Sequence, residues 1–353
     1  MSTIDQVMSI VRYTNGLPKF IWGPPGIGKS AAIHQVCRED NIGLIDVRLS
    51  QLDPTDIRGL PIVNREKNEA SWATPDFLPQ VARDGERGIL FLDELNAAPP
   101  MVQAAAYQLT LDRRVGNYFL PPNWDIVAAG NRIGDRGVVF RMPSPLANRF
   151  VHIEMEADLE LWRRWAFSVG VDPRIIAFLQ FKGSGALFSF NPESEETAFA
   201  TPRTWEYVNK ILLSQAVTNS REILYENQNA ITAMAGAVGS GMALEFIKYV
   251  ELTNELPDMQ QILTNGGKLK PPSKISLRHA VIAGLTSALV QSKKHQAAVL
   301  PVFLGNAVDY VKQFEAEFAT LFVKDIANTD LKFDIHKHPT YVEWVRANKQ
   351  LLL

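Results

Sequence analysis

The feature of this 353-residue sequence that most restricts its fold is a glycine-rich stretch near the N-terminus, Gly23-Pro24-Pro25-Gly26-Ile27-Gly28-Lys29-Ser30. It fits the pattern of a glycine, four free residues and then Gly-Lys-Ser/Thr. The glycines let consecutive backbone N–H groups turn inward around phosphate oxygens. Lys29 supplies positive charge for the β- and γ-phosphates, and the Ser30 hydroxyl is placed to bind Mg²⁺. The stretch therefore predicts a site for a nucleoside triphosphate.

The residues on either side supply the strand and the helix that such a loop needs. The run Lys19–Trp22 is typical of a short buried strand, and from Ser30 onward Ile33, Val36 and Cys37 recur on one helical face. The helix would point the partial positive charge of its N-terminus at the bound anion. The context thus agrees with the loop.

The first 156 residues alternate short apolar strands with helical patterns, which predicts an α/β domain with a parallel sheet covered by helices. From residue 157 to 353 the strand pattern disappears. Asp172-Pro173 and Thr201-Pro202 are typical helix starts, so we expect an all-helical second domain and C-terminal extension. The predicted strands are Phe20–Trp22, Leu44–Leu49, Ile89–Leu92, Ile126–Ala129 and Phe150–Glu154.

An insertion between the second strand and the third follows a hairpin pattern over residues 59–73. Two apolar runs, Gly59–Val63 and Ala70–Ala73, flank the polar residues Asn64–Glu69. We expect a β-hairpin there. The sequence alone leaves open whether this hairpin has a function or is a plain surface hairpin.

Composition narrows the class of partner. The formal net charge of −2 gives no basic field for a nucleic-acid backbone. The single cysteine, Cys37, cannot form an internal disulfide and suits a reducing compartment. Residues Met1–Asp5 have no signal pattern, and no apolar run is long enough for a bilayer. We therefore expect a cytoplasmic protein that contacts no membrane.

A second motif, Gly88–Glu94, is an apolar strand that ends in two adjacent carboxylates. The carboxyl end of such a strand lies beside the phosphate loop, where sheets of this type bind ligands. Asp93 would hold Mg²⁺ together with Ser30. Glu94 would polarise the water that attacks the γ-phosphate. The pair predicts hydrolysis in addition to binding.

Three further polar side chains are candidates for the site. Asn131 follows the apolar strand after the acid pair, where its amide can orient the attacking water. Arg149 precedes the last strand, and Arg203 opens a helix of the second domain. The guanidinium fork matches phosphate oxygens and stays charged at any working pH.

These motifs, in this order, resemble an AAA+ ATPase of the MoxR type over residues 17–215. The acid pair is followed, as in that family, by an Asn-Ala-Ala-Pro-Pro helix start and a helix ending in a charged pair and a valine. The fold implied is a P-loop AAA+ sheet domain followed by a helical lid. The runs that carry the resemblance are Trp72–Leu78, Gly88–Glu94, Leu95–Pro100, Gln103–Leu109 and Asp112–Val115.

The resemblance implies roles and partners. By this resemblance, Asn131 corresponds to the first sensor of such ATPases, Arg149 to their arginine finger and Arg203 to their second sensor. The finger serves the ATP site of the neighbouring subunit, which implies a homo-oligomeric ring, usually a hexamer. Arg141 is the alternative finger, and Arg132 and Arg136 lie in the same interval.

Such proteins are ATP-driven remodelling chaperones, often beside a partner with a von Willebrand factor A domain, and they direct the hairpin insert toward the central pore. Two other functions stay open. A motor or loader for nucleic acid would use Arg65, Lys67 and Trp72 of the hairpin, although Glu66 and Glu69 nearly cancel their charge. A nucleotide-gated assembly switch with little turnover is disfavoured because Glu94 and Arg149 are both present.

Asp334, His336 and His338 alternate, so an extended segment, if formed there, would place them on one face as a metal-like cluster. No cysteine or further histidine stands near them, which favours a solvated polar stretch over a metal site.

Overall fold

The structure is a computed structural model that describes residues 2–64, 69–135, 139–214, 227–253, 255–348 and 350. It divides into two compact units, Met1–Ala157 and Asp158–Leu353. Of the predicted hairpin, residues 65–68 with Arg65 and Lys67 lie outside the described residues, as does Arg136.

The first unit is built on a sheet of five parallel strands, β1 (Lys19–Trp22), β2 (Gly43–Arg48), β5 (Gly88–Asp93), β8 (Trp124–Gly130) and β9 (Val151–Glu154). Their order across the sheet is β2-β5-β8-β1-β9. The helices and strands of the unit are α1 (Ile4–Tyr13), β1 (Lys19–Trp22), α2 (Lys29–Glu39), β2 (Gly43–Arg48), α3 (Pro54–Arg58), β3 (Pro61–Asn64), β4 (Glu69–Trp72), α4 (Val81–Asp84), β5 (Gly88–Asp93), α5 (Pro100–Asp112), β6 (Arg114–Val115), β7 (Tyr118–Phe119), β8 (Trp124–Gly130), α6 (Ser144–Ala147) and β9 (Val151–Glu154).

Both faces of the sheet are buried at its central strands β5 and β8, which explains why these two strands are almost continuously apolar. Leu90 and Ile126 belong to a hydrophobic cluster with Val102 of α5. Phe91 and Val127, which follow them in sequence and so point to the opposite face, are buried completely. The sequence prediction of an α/β parallel sheet with helices is confirmed.

The second unit contains only helices among its described residues. A hydrophobic cluster that includes Leu285, Leu304 and Phe322 forms its C-terminal core. The helices are α7 (Leu159–Val169), α8 (Pro173–Lys182), α9 (Ser184–Leu187), α10 (Pro202–Leu212), α11 (Gln228–Val238), α12 (Ser240–Thr253), α13 (Met259–Asn265), α14 (Ile275–His295), α15 (Leu300–Val311), α16 (Ala316–Ala327), α17 (Lys332–Lys337) and α18 (Pro339–Ala347).

The helix starts at Asp172-Pro173 and Thr201-Pro202 are confirmed. The Asp172 carboxylate accepts the backbone N–H of Arg174, and the Thr201 hydroxyl accepts that of Thr204. Within the described part of the chain, no helix is both long and apolar enough to cross a membrane.

One local hypothesis needs correction. The extended segment considered for Asp334, His336 and His338 is wrong, because residues 332–337 form α17 around the buried Ile335. The described residues contain no cluster of three side chains that suits a metal ion. The short antiparallel pair β6–β7 was not predicted, since two-residue strands carry too little pattern to detect.

The hairpin strands β3 and β4 pair antiparallel, from Pro61 opposite Trp72 to Asn64 opposite Glu69.

Candidate functional site

The glycine-rich loop connects the carboxyl end of β1 with the first turn of α2, and its glycines are required by geometry. Gly26 and Gly28 have φ of 78° and 103°, a region that side chains disfavour. A Cβ on Gly23 would lie 2.9 Å from the carbonyl oxygen of Met155. Gly28 caps α2 without any side-chain hydrogen bond, so no side chain competes for the amides of the first turn. These amides form a site suited to an anion.

The Lys29 ammonium lies over the loop, held by three oxygen acceptors. Its Nζ donates to the carbonyl oxygens of Gly23 and Pro24 at 2.6 and 3.0 Å and to Oδ1 of Asn131 at 2.9 Å. Lys29 and Asn131, far apart in sequence, therefore meet where β1 and β8 end. The cation stands beside the loop that would surround phosphates.

Ser30 and Asp93 form the second contact of the site. The Ser30 hydroxyl donates to Oδ2 of Asp93 at 2.8 Å, and Oδ1 of Asp93 accepts the backbone N–H of Glu94 at 2.9 Å. A hydroxyl and a carboxylate at hydrogen-bond distance are a hard-oxygen pair of the kind that Mg²⁺ prefers. The donor set thus fits a magnesium ion.

Glu94 adopts a left-handed backbone conformation with φ of 57°, directly after β5. Its carboxylate accepts a hydrogen bond from the hydroxyl of Ser50, a residue in the short 3₁₀ turn that follows β2. Sequence reasoning missed Ser50, which lies in no motif. The pairing of β2 with β5, Arg48 opposite Asp93, is what brings it to the acid pair.

Asn96 begins the Asn-Ala-Ala-Pro-Pro run of the sequence, but the sequence did not indicate what its side chain does. It is buried, and its Nδ2 donates to the backbone carbonyl of Asn131 at 2.6 Å. Only glycine fits at position 130, because a Cβ there would lie 2.1 Å from Oδ1 of Asn96. Asn96 therefore fixes the backbone that presents Asn131.

Arg149 and Arg141 of the first unit lie apart from these contacts. Arg149 follows α6 and is exposed, as is Arg141. Within the described ranges neither guanidinium makes a hydrogen bond or an ion pair, whereas that of Arg132 lies 3.4 Å from the Glu154 carboxylate. Arg203 is exposed in the first turn of α10, in the second unit. The structure thus joins Lys29, Ser30, Asp93, Glu94 and Asn131, and leaves Arg149 outside their hydrogen-bond network.

The remaining candidate for chemistry, Cys37, is buried on α2, and burial raises the pKa of its thiol to about 11. At neutral pH this thiol stays protonated, so Cys37 acts as a small apolar side chain.

Residues 20–152 match the family model of the ATPase family associated with various cellular activities (AAA). This range contains the whole phosphate loop and the acid pair. The first unit is therefore an AAA ATPase domain, and the protein is an ATP hydrolase.

Similar solved structures include two point mutants of Thermotoga maritima RuvB. The Lys-to-Arg mutant has a TM-score of 0.38 and 16% identity, covering 86% of this chain and 85% of that one. The Pro-to-Gly mutant has a TM-score of 0.37 and 16% identity, covering 74% and 78%. A candidate ATPase of Cytophaga hutchinsonii has a TM-score of 0.33 and 13% identity, covering 90% and 78%.

Proposed function

We propose that this protein is a Mg²⁺-dependent AAA+ ATPase of the MoxR type, which forms a ring and uses ATP hydrolysis to remodel or activate a partner protein. The observation that carries the proposal is the contact network of Lys29, Ser30, Asp93, Glu94 and Asn131 beside an uncapped helix N-terminus. The MoxR assignment is supported by the sequence runs around the acid pair.

Each side chain has a role that follows from its place. The loop amides and Lys29 bind the β- and γ-phosphates of ATP. Ser30 and Asp93 would hold Mg²⁺, which neutralises phosphate charge when bound. Glu94 accepts a proton from the attacking water, and the Asn131 amide orients that water. The Ser50 hydroxyl donates to one oxygen of the Glu94 carboxylate and orients it.

The ring is supported by Arg149, which is exposed and lies outside the contact network of its own subunit. An arginine finger stabilises the charge of the transferred phosphoryl group and is supplied by a neighbouring protein in many phosphoryl-transfer enzymes. We infer that Arg149 enters the adjoining subunit's site, so that one complete site needs Glu94 of one subunit and Arg149 of the next.

Mixing inactive variants tests the ring. Glu94→Gln and Arg149→Ala are each expected to bind ATP and to hydrolyse it poorly. Mixed together, they should regain partial turnover, because some interfaces pair an intact Glu94 with an intact Arg149. Absence of rescue despite demonstrated mixed assembly would overturn catalysis between subunits. If Arg141→Ala behaves this way and Arg149→Ala behaves as wild type, the finger is Arg141.

The partner is sought with the same variant. Glu94→Gln should hold ATP and retain the client, so affinity capture with ATP should enrich it over a Lys29→Ala control that binds no nucleotide. A protein with a von Willebrand factor A domain is the expected class of client. Equal recovery with both variants would count against ATP-driven remodelling of a protein client.

A further inference from the structure

A chain of two hydrogen bonds runs from the strand before the phosphate loop to the segment that carries Arg149. The indole Nε1 of Trp22 lies 2.8 Å from Nδ1 of His152, and Nε2 of His152 lies 2.7 Å from the carbonyl oxygen of Ala147. An indole N–H only donates, so Nδ1 must accept, and Nε2 carries the proton that it donates to Ala147. The hydrogen-bond partners thus fix one neutral tautomer of His152.

Aromatic packing fixes the plane of this imidazole. His152 lies on the edge strand β9 opposite Phe20 of β1. The Trp22 ring is stacked with the imidazole at a centroid distance of 5.9 Å and with Phe20 at 4.1 Å. Phe150 meets Phe20 edge-on at 5.5 Å. His152 is exposed, and its two hydrogen bonds together with the stacking on Trp22 give its Nε2–H one preferred direction.

The acceptor of that N–H is the last residue of α6. Carbonyl groups of a helix's last turn have no partner within the helix. The Ala147 carbonyl is satisfied by His152 and by the backbone N–H of Phe150 at 3.2 Å. Phe150 itself is 7% exposed. The segment from Ala147 to Phe150 is therefore fixed at both ends, and the exposed Arg149 stands between them.

At the other end of this pair of hydrogen bonds, Trp22 immediately precedes Gly23. The carbonyl oxygen of Gly23 accepts a hydrogen bond from the Lys29 ammonium. We propose that His152 is a positioning residue: its bond to Ala147 directs Arg149 toward the neighbouring subunit's nucleotide, and its bond to Trp22 ties that direction to its own subunit's phosphate loop. The inference rests on the proposed role of Arg149 and names the residue that sets it.

Two substitutions separate the two bonds. His152→Asn keeps an acceptor near the position of Nδ1 and loses the donor to Ala147. His152→Gln keeps a donor near Nε2 and loses the acceptor for Trp22. We expect His152→Asn to lower kcat about 10- to 100-fold, the scale of a misplaced catalytic group, with ATP affinity unchanged. His152→Gln should stay within about threefold of wild type. Equal kcat values for the two variants would overturn the proposal.

Mixing shows which site His152 serves. His152→Asn subunits should regain turnover when mixed with Glu94→Gln subunits, which have intact fingers, and should gain nothing from Arg149→Ala subunits. The reverse pattern would mean that His152 acts on its own phosphate loop through Trp22, and the proposal would be wrong. Thermal melting checks that both variants are folded. If His152→Asn does not fold, Trp22→Phe replaces it, since this change removes the hydrogen bond that fixes the tautomer of His152. Trp22→Phe subunits should then regain turnover with Glu94→Gln subunits and not with Arg149→Ala subunits.

The mixture of Arg149→Ala with Glu94→Gln serves as the control for the proposed function. If that mixture shows no rescue, the finger does not act between subunits, and positioning is then read from a double-mutant cycle. His152→Asn should cause no further loss of kcat in the Arg149→Ala background. An additional loss there would overturn the positioning role whichever subunit Arg149 serves.

Discussion

At the scale of single residues, the Lys29 ammonium donates to two loop carbonyls and to the Asn131 amide oxygen. All three are uncharged acceptors. Phosphate oxygens, which carry negative charge, form stronger hydrogen bonds with an ammonium group. A bound nucleotide can therefore replace these contacts of Lys29 with stronger ones.

We expect Lys29→Ala to abolish nucleotide binding, because the glycine amides alone do not neutralise the β- and γ-phosphates. Titration with a fluorescent ATP analogue measures the change. Lys248→Ala, which removes an exposed lysine of the second unit, should leave the affinity unaltered. ATP binding by Lys29→Ala with wild-type affinity would remove the phosphate-loop assignment.

Glu94 should matter for turnover and not for binding, since it meets Ser50 rather than the loop. We expect Glu94→Gln to bind Mg·ATP and to hydrolyse it at least ~100-fold more slowly, the scale of a lost general base. Phosphate release and nucleotide titration measure the two quantities separately. Parallel loss of both would assign Glu94 a structural role.

At the scale of elements, a buried ion pair joins the amino ends of β1 and β8. Lys19 is 0% exposed, and its Nζ lies 2.7 Å from Oδ2 of Asp125, whose Oδ1 accepts the backbone N–H of Gly16 at 2.7 Å. Burial lowers the pKa of Lys19, and the hydrogen bond to Asp125 opposes that shift. The charge of Lys19 is tolerated in the core because Asp125 faces it.

Asp125→Asn should therefore lower the free energy of unfolding of the first unit by about 3–5 kcal/mol, the cost of leaving a buried charge unpaired. Urea unfolding followed by tryptophan fluorescence measures it. The double change Lys19→Met with Asp125→Leu should recover most of the loss. A shift below about 1 kcal/mol, as at exposed pairs, would contradict this role.

In the second unit, His279 of α14 predicts a pH dependence. Its ring packs against Phe181 and Phe318. Burial, together with the nearby positive charge of Arg163, lowers the pKa of His279 from 6.5 to about 4. The unfolded chain therefore binds a proton that the folded unit excludes, so this stability is present above pH 6.5 and is lost as the pH falls toward 4.

We expect the free energy of unfolding of the second unit to fall by about 2–3 kcal/mol as the pH is lowered from 6.5 to about 4, because His279 becomes protonated in the unfolded chain. The difference between wild type and His279→Phe, measured by urea unfolding across the range, isolates the effect from that of the carboxylates. Parallel stability curves for the two proteins would refute it.

At the scale of the whole molecule, the two units carry different parts of the proposed machine. The hydrolytic side chains belong to the first unit, whereas Arg203 belongs to the second. The sequence resemblance implies that Arg203 senses the γ-phosphate.

Arg203→Ala should then weaken ATP binding roughly tenfold or more, the scale of a lost charge-assisted hydrogen bond, while ADP binding stays unchanged. Calorimetric titration with ADP and a non-hydrolysable ATP analogue compares the two. Lys210→Ala, which removes an exposed cation on the same helix, is the matched control. Equal weakening of ADP and ATP would exclude a γ-phosphate sensor.

The sequence by itself determined the loop, the acid pair and the α/β class, because each depends on local spacing. Gly23–Ser30 needs glycines at fixed positions within one turn. The strand Gly88–Asp93 is buried on both faces and so reads as one apolar run. The ends of a strand depend on more than local spacing. β8 begins at Trp124, two residues before the predicted strand, because the buried Asp125 interrupts the apolar pattern.

Tertiary structure alone decided which distant residues meet. Ser50 reaches Glu94 because β2 lies beside β5, Asn96 holds the backbone of Asn131, and His152 connects Trp22 with Ala147. Ser50 and His152 have no local pattern that marks them, and the helix-start pattern that contains Asn96 does not show which residue Asn96 contacts. The pairing order of the strands brings them together, and that order depends on the burial of the whole sheet rather than on any one segment.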